Sequence, residues 1–161
     1  MVLVLLGTLN HSFVRLIVKI EELKNKGVIQ DDVIVQAGET KYVSQGIKIV
    51  DYLTSEDFDN YIKNASLIIS HGGLGSIVTS MRFQKKVIVI PRSSKYKEHV
   101  DNHQIEIVEL FNEKGYILMS DVENLEEAFL RSKDFLPVPY PFESALEEFI
   151  FNLEKEIALL T

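Results

Sequence analysis

Short, almost wholly apolar runs alternate along the chain with longer stretches in which apolar residues recur every three or four positions. Residues 2–6, 33–36, 47–50, 67–69, 87–90 and 116–118 form the first set and predict strands. Several are apolar at nearly every position, the pattern of strands covered on both faces. Residues 12–24, 55–63, 75–83, 100–113 and 124–131 form the second set and predict helices. In the first of these Phe13, Leu16, Ile17, Ile20 and Leu23 share one face. Regular alternation of strand and helix predicts an α/β fold, a parallel sheet with helices on both faces and right-handed crossovers. Ligands of such sheets sit beyond the carboxyl ends of the strands. That rule selects three turns: Gly7-Thr8, residues 70–76, and residues 91–104.

Composition narrows the picture. The chain has 161 residues, 46% of them hydrophobic, enough for one domain with a buried core. No apolar run is long enough to cross a membrane. Residues 1–6 lack the basic start and the small-residue cleavage site of a signal peptide, so none is expected. There is no cysteine, hence neither disulfide nor thiolate chemistry, which fits a cytoplasmic location. A net charge of -7 without a basic arm argues against broad binding of nucleic acid, while leaving room for a phosphate held by backbone N–H groups. Residues 1–136 are expected to form the domain. Residues 137–161 are expected to be a Pro-rich linker, Pro137 to Pro141, followed by an amphipathic helix. In that helix Leu146, Phe149, Ile150, Leu153, Ile157 and Leu160 make one apolar face. Either the helix packs back on its own sheet, or part of it docks on a partner subunit or a second copy of the chain.

The second turn reads Ser70-His71-Gly72-Gly73-Leu74-Gly75-Ser76. Glycine permits positive φ and close approach of a ligand to the main chain. At a helix start, unpaired N–H groups and the dipole favour an anion. Ser76 adds a hydroxyl and His71 a ring N–H, so the turn suits a diphosphate. The competing reading is a tight strand–helix turn with glycines for packing and His71 at the surface. In the third turn Asp101, Asn102, His103 and Gln104 open a helix, either as caps or as partners for hydroxyl groups. His99 and His103 are four apart, but no third ligand is evident, and no metal site is expected.

The glycine turn and the third turn, one strand apart, resemble the C-terminal, donor-binding half of family 28 glycosyltransferases, one Rossmann-like half of a GT-B fold. The similarity is greatest to small catalytic subunits of two-component transferases. These include the cytosolic subunit of the dolichol-linked GlcNAc transferase and bacterial subunits of capsule and exopolysaccharide synthesis. It is carried by Gly7-Thr8 with Phe13 and Arg15-Leu16, by Ser70 to Ser76, and by Lys95-Tyr96, Glu98-His99-Val100-Asp101 and His103-Gln104. The resemblance implies that His71, Gly72, Gly73, Gly75 and Ser76 hold the donor diphosphate. It implies that Asn102, His103 and Gln104 contact the sugar, that Gly7 and Thr8 face the cleft, and that Arg92 or Lys95 offsets donor charge. Thr79 stands where the family commonly has a ribose-binding Glu, and Leu9 where bacterial relatives have His; a His follows at His11, a candidate general base.

The same resemblance implies a UDP-sugar-dependent hexosyltransferase, with galactose the first choice of sugar and GlcNAc the second. It would act with a membrane-associated acceptor-half subunit on a lipid-diphosphate-linked saccharide, at the inner face of the membrane. UDP-sugar is a substrate, and no cofactor or metal is expected. Alone, the chain is a candidate homo-oligomer. A non-catalytic nucleotide-sugar-binding or scaffold protein of the same fold is the alternative. A nicotinamide enzyme is disfavoured because no Gly-x-Gly-x-x-Gly follows the first strand.

Overall fold

The computed structural model describes residues 1–8, 11–96, 98 and 103–143. Six strands form one sheet: β1 (Val2–Leu5), β2 (Val33–Gln36), β3 (Lys48–Val50), β4 (Leu67–Ser70), β5 (Val87–Val89) and β6 (Leu118–Met119). Their order is β3-β2-β1-β4-β5-β6, and every pair is parallel. Five helices pack on it: α1 (Val14–Asn25), α2 (Ser55–Asn64), α3 (Leu74–Arg82), α4 (His103–Glu113) and α5 (Leu125–Ser132). A short 3-10 turn, Ser94–Tyr96, follows β5.

Alternation along β1 divides the core into two layers. Val2, Val4 and Leu6 face α1 and α5, where Phe13, Leu16, Ile17, Ile20 and Leu23 are fully buried with Leu125, beside the buried Phe129. Leu3 and Leu5 face the other way, against Ile62 of α2, Ile77 and Met81 of α3 and Val108 of α4. The apolar stripe predicted for the first helix is therefore the stripe that is buried. The sheet order reverses between β1 and β4, so the turns leaving these two strands diverge and open a crevice between them. That crevice lies between Gly7-Thr8 and the glycine turn.

Local chemistry sets the element ends. Thr54 caps α2 by accepting from the Asp57 N–H at 3.1 Å. α1 starts at Val14, later than the sequence suggests, because the Phe13 N–H donates to Thr40 Oγ1 at 3.0 Å and no side chain caps the helix. The last strand also starts later than expected. Gly115, with φ of 73°, ends α4, and the Tyr116 N–H turns back to the Phe111 carbonyl, so the chain extends only from Leu118.

The Pro-rich stretch differs from a free linker. The Val138 N–H donates to the Gly115 carbonyl at 2.9 Å. The Tyr140 ring lies 5.1 Å from Tyr116 and 6.0 Å from Phe111, and Phe142 lies 4.6 Å from Tyr140. The aromatic residues of this stretch pack their partly buried rings on the helical layer, so packing continues past residue 136 to Phe142. The expected C-terminal helix, with its stripe from Leu146 to Leu160, lies outside the described residues.

Candidate functional site

A cleft of about 610 Å³ opens at the carboxyl edge of the sheet. This is within the range of roughly 300–1,000 Å³ typical of small-molecule sites. One wall is Gly7 and Thr8 after β1 with Gln36 at the end of β2; another is His71, Gly73, Gly75, Ser76 and Thr79. The far side is Tyr52 and Leu53 after β3 with Ser55, Phe58 and Asp59 of α2. No lysine or arginine lines it among the described residues.

The glycines around the turn have different reasons to be bare. Gly72 has φ of 98°, a conformation that side chains with a Cβ resist. A Cβ on Gly73 would stand 2.5 Å from His71 Nε2, so its absence makes room for the histidine ring. Gly7, with φ of 79°, would bring a Cβ to the same nitrogen at 2.5 Å. A Cβ on Gly75 would meet nothing within 4 Å. Packing therefore accounts for Gly7 and Gly73, while the bare edge of Gly75 faces open cleft.

α3 begins at this point with Gly73 as its cap residue and no side-chain cap, which leaves the first-turn N–H groups of the helix unbound by side chains. His71 is fixed through both its backbone and its ring. Its N–H donates to the Leu5 carbonyl at 3.0 Å, and its Nδ1 lies 3.0 Å from the same oxygen. A carbonyl only accepts, so Nδ1 carries a proton in this contact, and Nε2 between Gly7 and Gly73 donates to an anion only when the ring is doubly protonated.

The third turn is tied to α1. Arg15 donates through Nε to Glu98 Oε1 at 2.6 Å and through its terminal nitrogen to Oε2 at 3.0 Å. Glu98 is only 4% exposed and also accepts from the Ser93 N–H at 3.1 Å. The Arg15 guanidinium lies 4.3 Å from the Tyr96 ring centre. Burial works against the Arg15 charge, but the bonds to Glu98 and its negative charge more than offset it, and the pKa ends above the ordinary arginine value. Arg15 and Glu98 thus hold the described part of the segment after β5, at Ser93 and Glu98, against the start of α1. Both belong to the motif that the sequence shows, but the sequence gives neither a role.

The other expected site residues divide. Arg92 does not reach the cleft: it is buried, donates to the Leu6 carbonyl at 2.5 Å and lies over the Phe13 ring. Burial pushes its pKa down, with Glu98 opposing. Lys95 is exposed on the 3-10 turn and is not part of the cleft lining. His11 is partly buried before α1 and also stands outside the lining. His103 and Gln104 are the first residues of α4; Asn102 lies outside the described residues, as do Leu9 and His99. Sequence reasoning missed the wall from Tyr52 to Asp59. Its signal was the turn after β3, a carboxyl-end turn that no glycine marks. Among the described residues no group of three or more His, Cys, Asp or Glu side chains converges as metal ligands.

A doubly wound parallel sheet of this order, with an uncapped, glycine-bearing helix start at its switch point, is a Rossmann-like α/β domain. Residues 1–156 match the glycosyltransferase family 28 C-terminal domain, and the chain belongs to that family. It is 34% identical over 86 residues to the UDP-N-acetylglucosamine transferase subunit ALG13 of Candida albicans, an alignment covering 53% of this chain and 28% of that protein. It is 30% identical over 117 residues to the subunit of the same name from Yarrowia lipolytica, covering 69% and 58% respectively. The chain thus spans only part of the length of these relatives. Among solved structures, the solution structure of ALG13 aligns with a TM-score of 0.56 at 23% identity, over 87% of this chain and 88% of that one. The glycotransferase of kitacinnamycin aligns with a TM-score of 0.59 at 15% identity, over 82% and 34%. Both share the fold.

Proposed function

We propose that this chain is the donor-binding half of a UDP-sugar transferase, with the UDP diphosphate held against the start of α3. The observation that carries this reading is the open edge of Gly75 beside the uncapped first turn of that helix, facing a cleft of ligand size. There the α3 N–H groups and the Ser76 hydroxyl meet the two phosphates, and the helix dipole opposes the charge that develops on UDP as it leaves. A doubly protonated His71 adds a further donor from Nε2. The sugar points toward the start of α4, where His103 and Gln104 read its hydroxyls.

The relatives named above are UDP-N-acetylglucosamine transferase subunits, which moves UDP-GlcNAc ahead of the UDP-galactose favoured by the motif alone. The acceptor, a lipid-diphosphate-linked saccharide, is presented by a second, membrane-associated half. In this reading the pair works at the cytoplasmic face of the membrane, in dolichol-type glycan assembly or its capsule counterpart. Titration calorimetry with UDP, UDP-GlcNAc, UDP-galactose and NAD tests the proposal. Binding of UDP and one UDP-sugar is expected; binding of NAD alone, or of none of the four, overturns it. A second reading, a nucleotide-sugar-binding subunit without catalysis, is favoured by the position of His11 outside the cleft. It predicts the same binding with no transfer when an acceptor half is supplied.

A further inference from the structure

The geometry points to Asp59 as the residue that binds the ribose diol of the nucleotide, a role that rests on the nucleotide-site reading above. Asp59 is the only carboxylate lining the cleft among the described residues. It is partly buried, and no side-chain hydrogen bond or ion pair with a described residue engages it. A carboxylate in a cleft without lysine or arginine repels a diphosphate, so its presence there is unfavourable unless it meets a group that donates hydrogen bonds. A vicinal diol donates two, one to each carboxylate oxygen.

The register of the two helices places it. α2 starts at Ser55 and α3 at Leu74, both at the carboxyl edge of the sheet and both packed on the same face. Asp59 follows Ser55 by one turn and Thr79 follows Gly75 by one turn, so Ser55 with Asp59 and Gly75 with Thr79 each share one helix face. All four line the cleft. Asp59 therefore stands about 6 Å along α2 from Ser55, and Thr79 about 6 Å along α3 from Gly75, beside which the diphosphate is placed. Thr79 offers a single hydroxyl; Asp59 offers the two acceptors.

The source of the diol depends on direction. The glycine turn stands between α2 on one side and the start of α4 on the other. A sugar directed toward α4 leaves the nucleoside on the α2 side, beside Asp59, with Tyr52 and Leu53 beyond it. The diol is therefore the ribose 2′,3′ pair and not two hydroxyls of the hexose.

The test is titration calorimetry of the full chain and of Asp59→Asn with UDP, 2′-deoxy-UDP and UDP-GlcNAc, with a thermal melt to verify folding. The wild-type chain is expected to prefer UDP to 2′-deoxy-UDP by about 10-fold, the scale of a hydrogen bond to a charged group. Asp59→Asn is expected to abolish that preference by weakening UDP and leaving 2′-deoxy-UDP nearly unchanged. If the substitution tightens both nucleotides alike, Asp59 is only a repelling charge and the assignment falls. An unchanged preference, or a loss confined to UDP-GlcNAc, also overturns it. UDP that fails to bind the wild-type chain removes the nucleotide-site reading and this inference together. UDP that binds with no dependence on Asp59 removes the inference alone.

Discussion

A Cβ at position 73 would collide with the His71 ring, and one at position 75 would collide with nothing. The two glycines therefore predict opposite outcomes. Gly75→Val is expected to leave the melting temperature unchanged or slightly raised, since valine outranks glycine inside a helix by a few tenths of a kcal/mol. The same substitution is expected to abolish UDP binding. Gly73→Ala is expected to destabilise the fold by about 1–3 kcal/mol, the scale of overpacking, because the ring that must give way is held by Leu5. Chemical denaturation and calorimetry on both variants check the pair. For the sugar readers, Gln104→Ala is expected to weaken UDP-GlcNAc by about 0.5–1.5 kcal/mol while sparing UDP. Equal losses for both ligands would contradict that division of roles.

Two connections between elements carry further predictions. The Arg15–Glu98 pair joins α1 to the segment leading into α4. Arg15→Ala leaves the Glu98 carboxylate buried without its cation. Breaking a fully buried pair costs about 3–5 kcal/mol, and the Arg15 side chain is 23% exposed, so a loss of about 2–3 kcal/mol is expected in urea unfolding. Because the segment precedes His103 and Gln104, the same variant is expected to weaken UDP-GlcNAc more than UDP. The second connection is across the groove between α2 and α3. Thr79→Glu alone sets a second carboxylate into the groove with Asp59 and is expected to weaken UDP. In the Asp59→Asn background Thr79→Glu is expected to restore the preference for UDP over 2′-deoxy-UDP. A double variant that binds both nucleotides equally would show that a carboxylate on α3 cannot reach the diol.

On the scale of the whole molecule, the aromatic segment after α5 belongs to the packed domain. Truncation after Glu143 and truncation after Pro139 differ by Tyr140 to Glu143, hence by the rings packed on Phe111, Tyr116 and Arg82. The shorter chain is expected to be less stable than the longer one by about 3–5 kcal/mol, the combined cost of removing two large, partly buried aromatic side chains. Denaturation midpoints that coincide would show that the segment is a linker after all.

Periodicity alone determined that the sheet is parallel and covered on both faces, because strands buried on two sides must be apolar at successive positions. It also determined the buried face of α1, since Phe13, Leu16, Ile17, Ile20 and Leu23 have no other way to share a surface. The glycine turn was legible because a strand, a run of small residues and a helix succeed one another within a few positions. Only the tertiary structure decided what each glycine is for: His71 reaches across to Gly7 at the end of the neighbouring strand, and local sequence does not encode that distance. It likewise decided that Arg92 turns inward to the Leu6 carbonyl, and that Glu98 is a tie to Arg15, 83 positions away. The wall from Tyr52 to Asp59 became part of the site only through the reversal of strand order at β1 and β4. That reversal brings the start of α2 beside the start of α3, and strand order is a property of the assembled sheet.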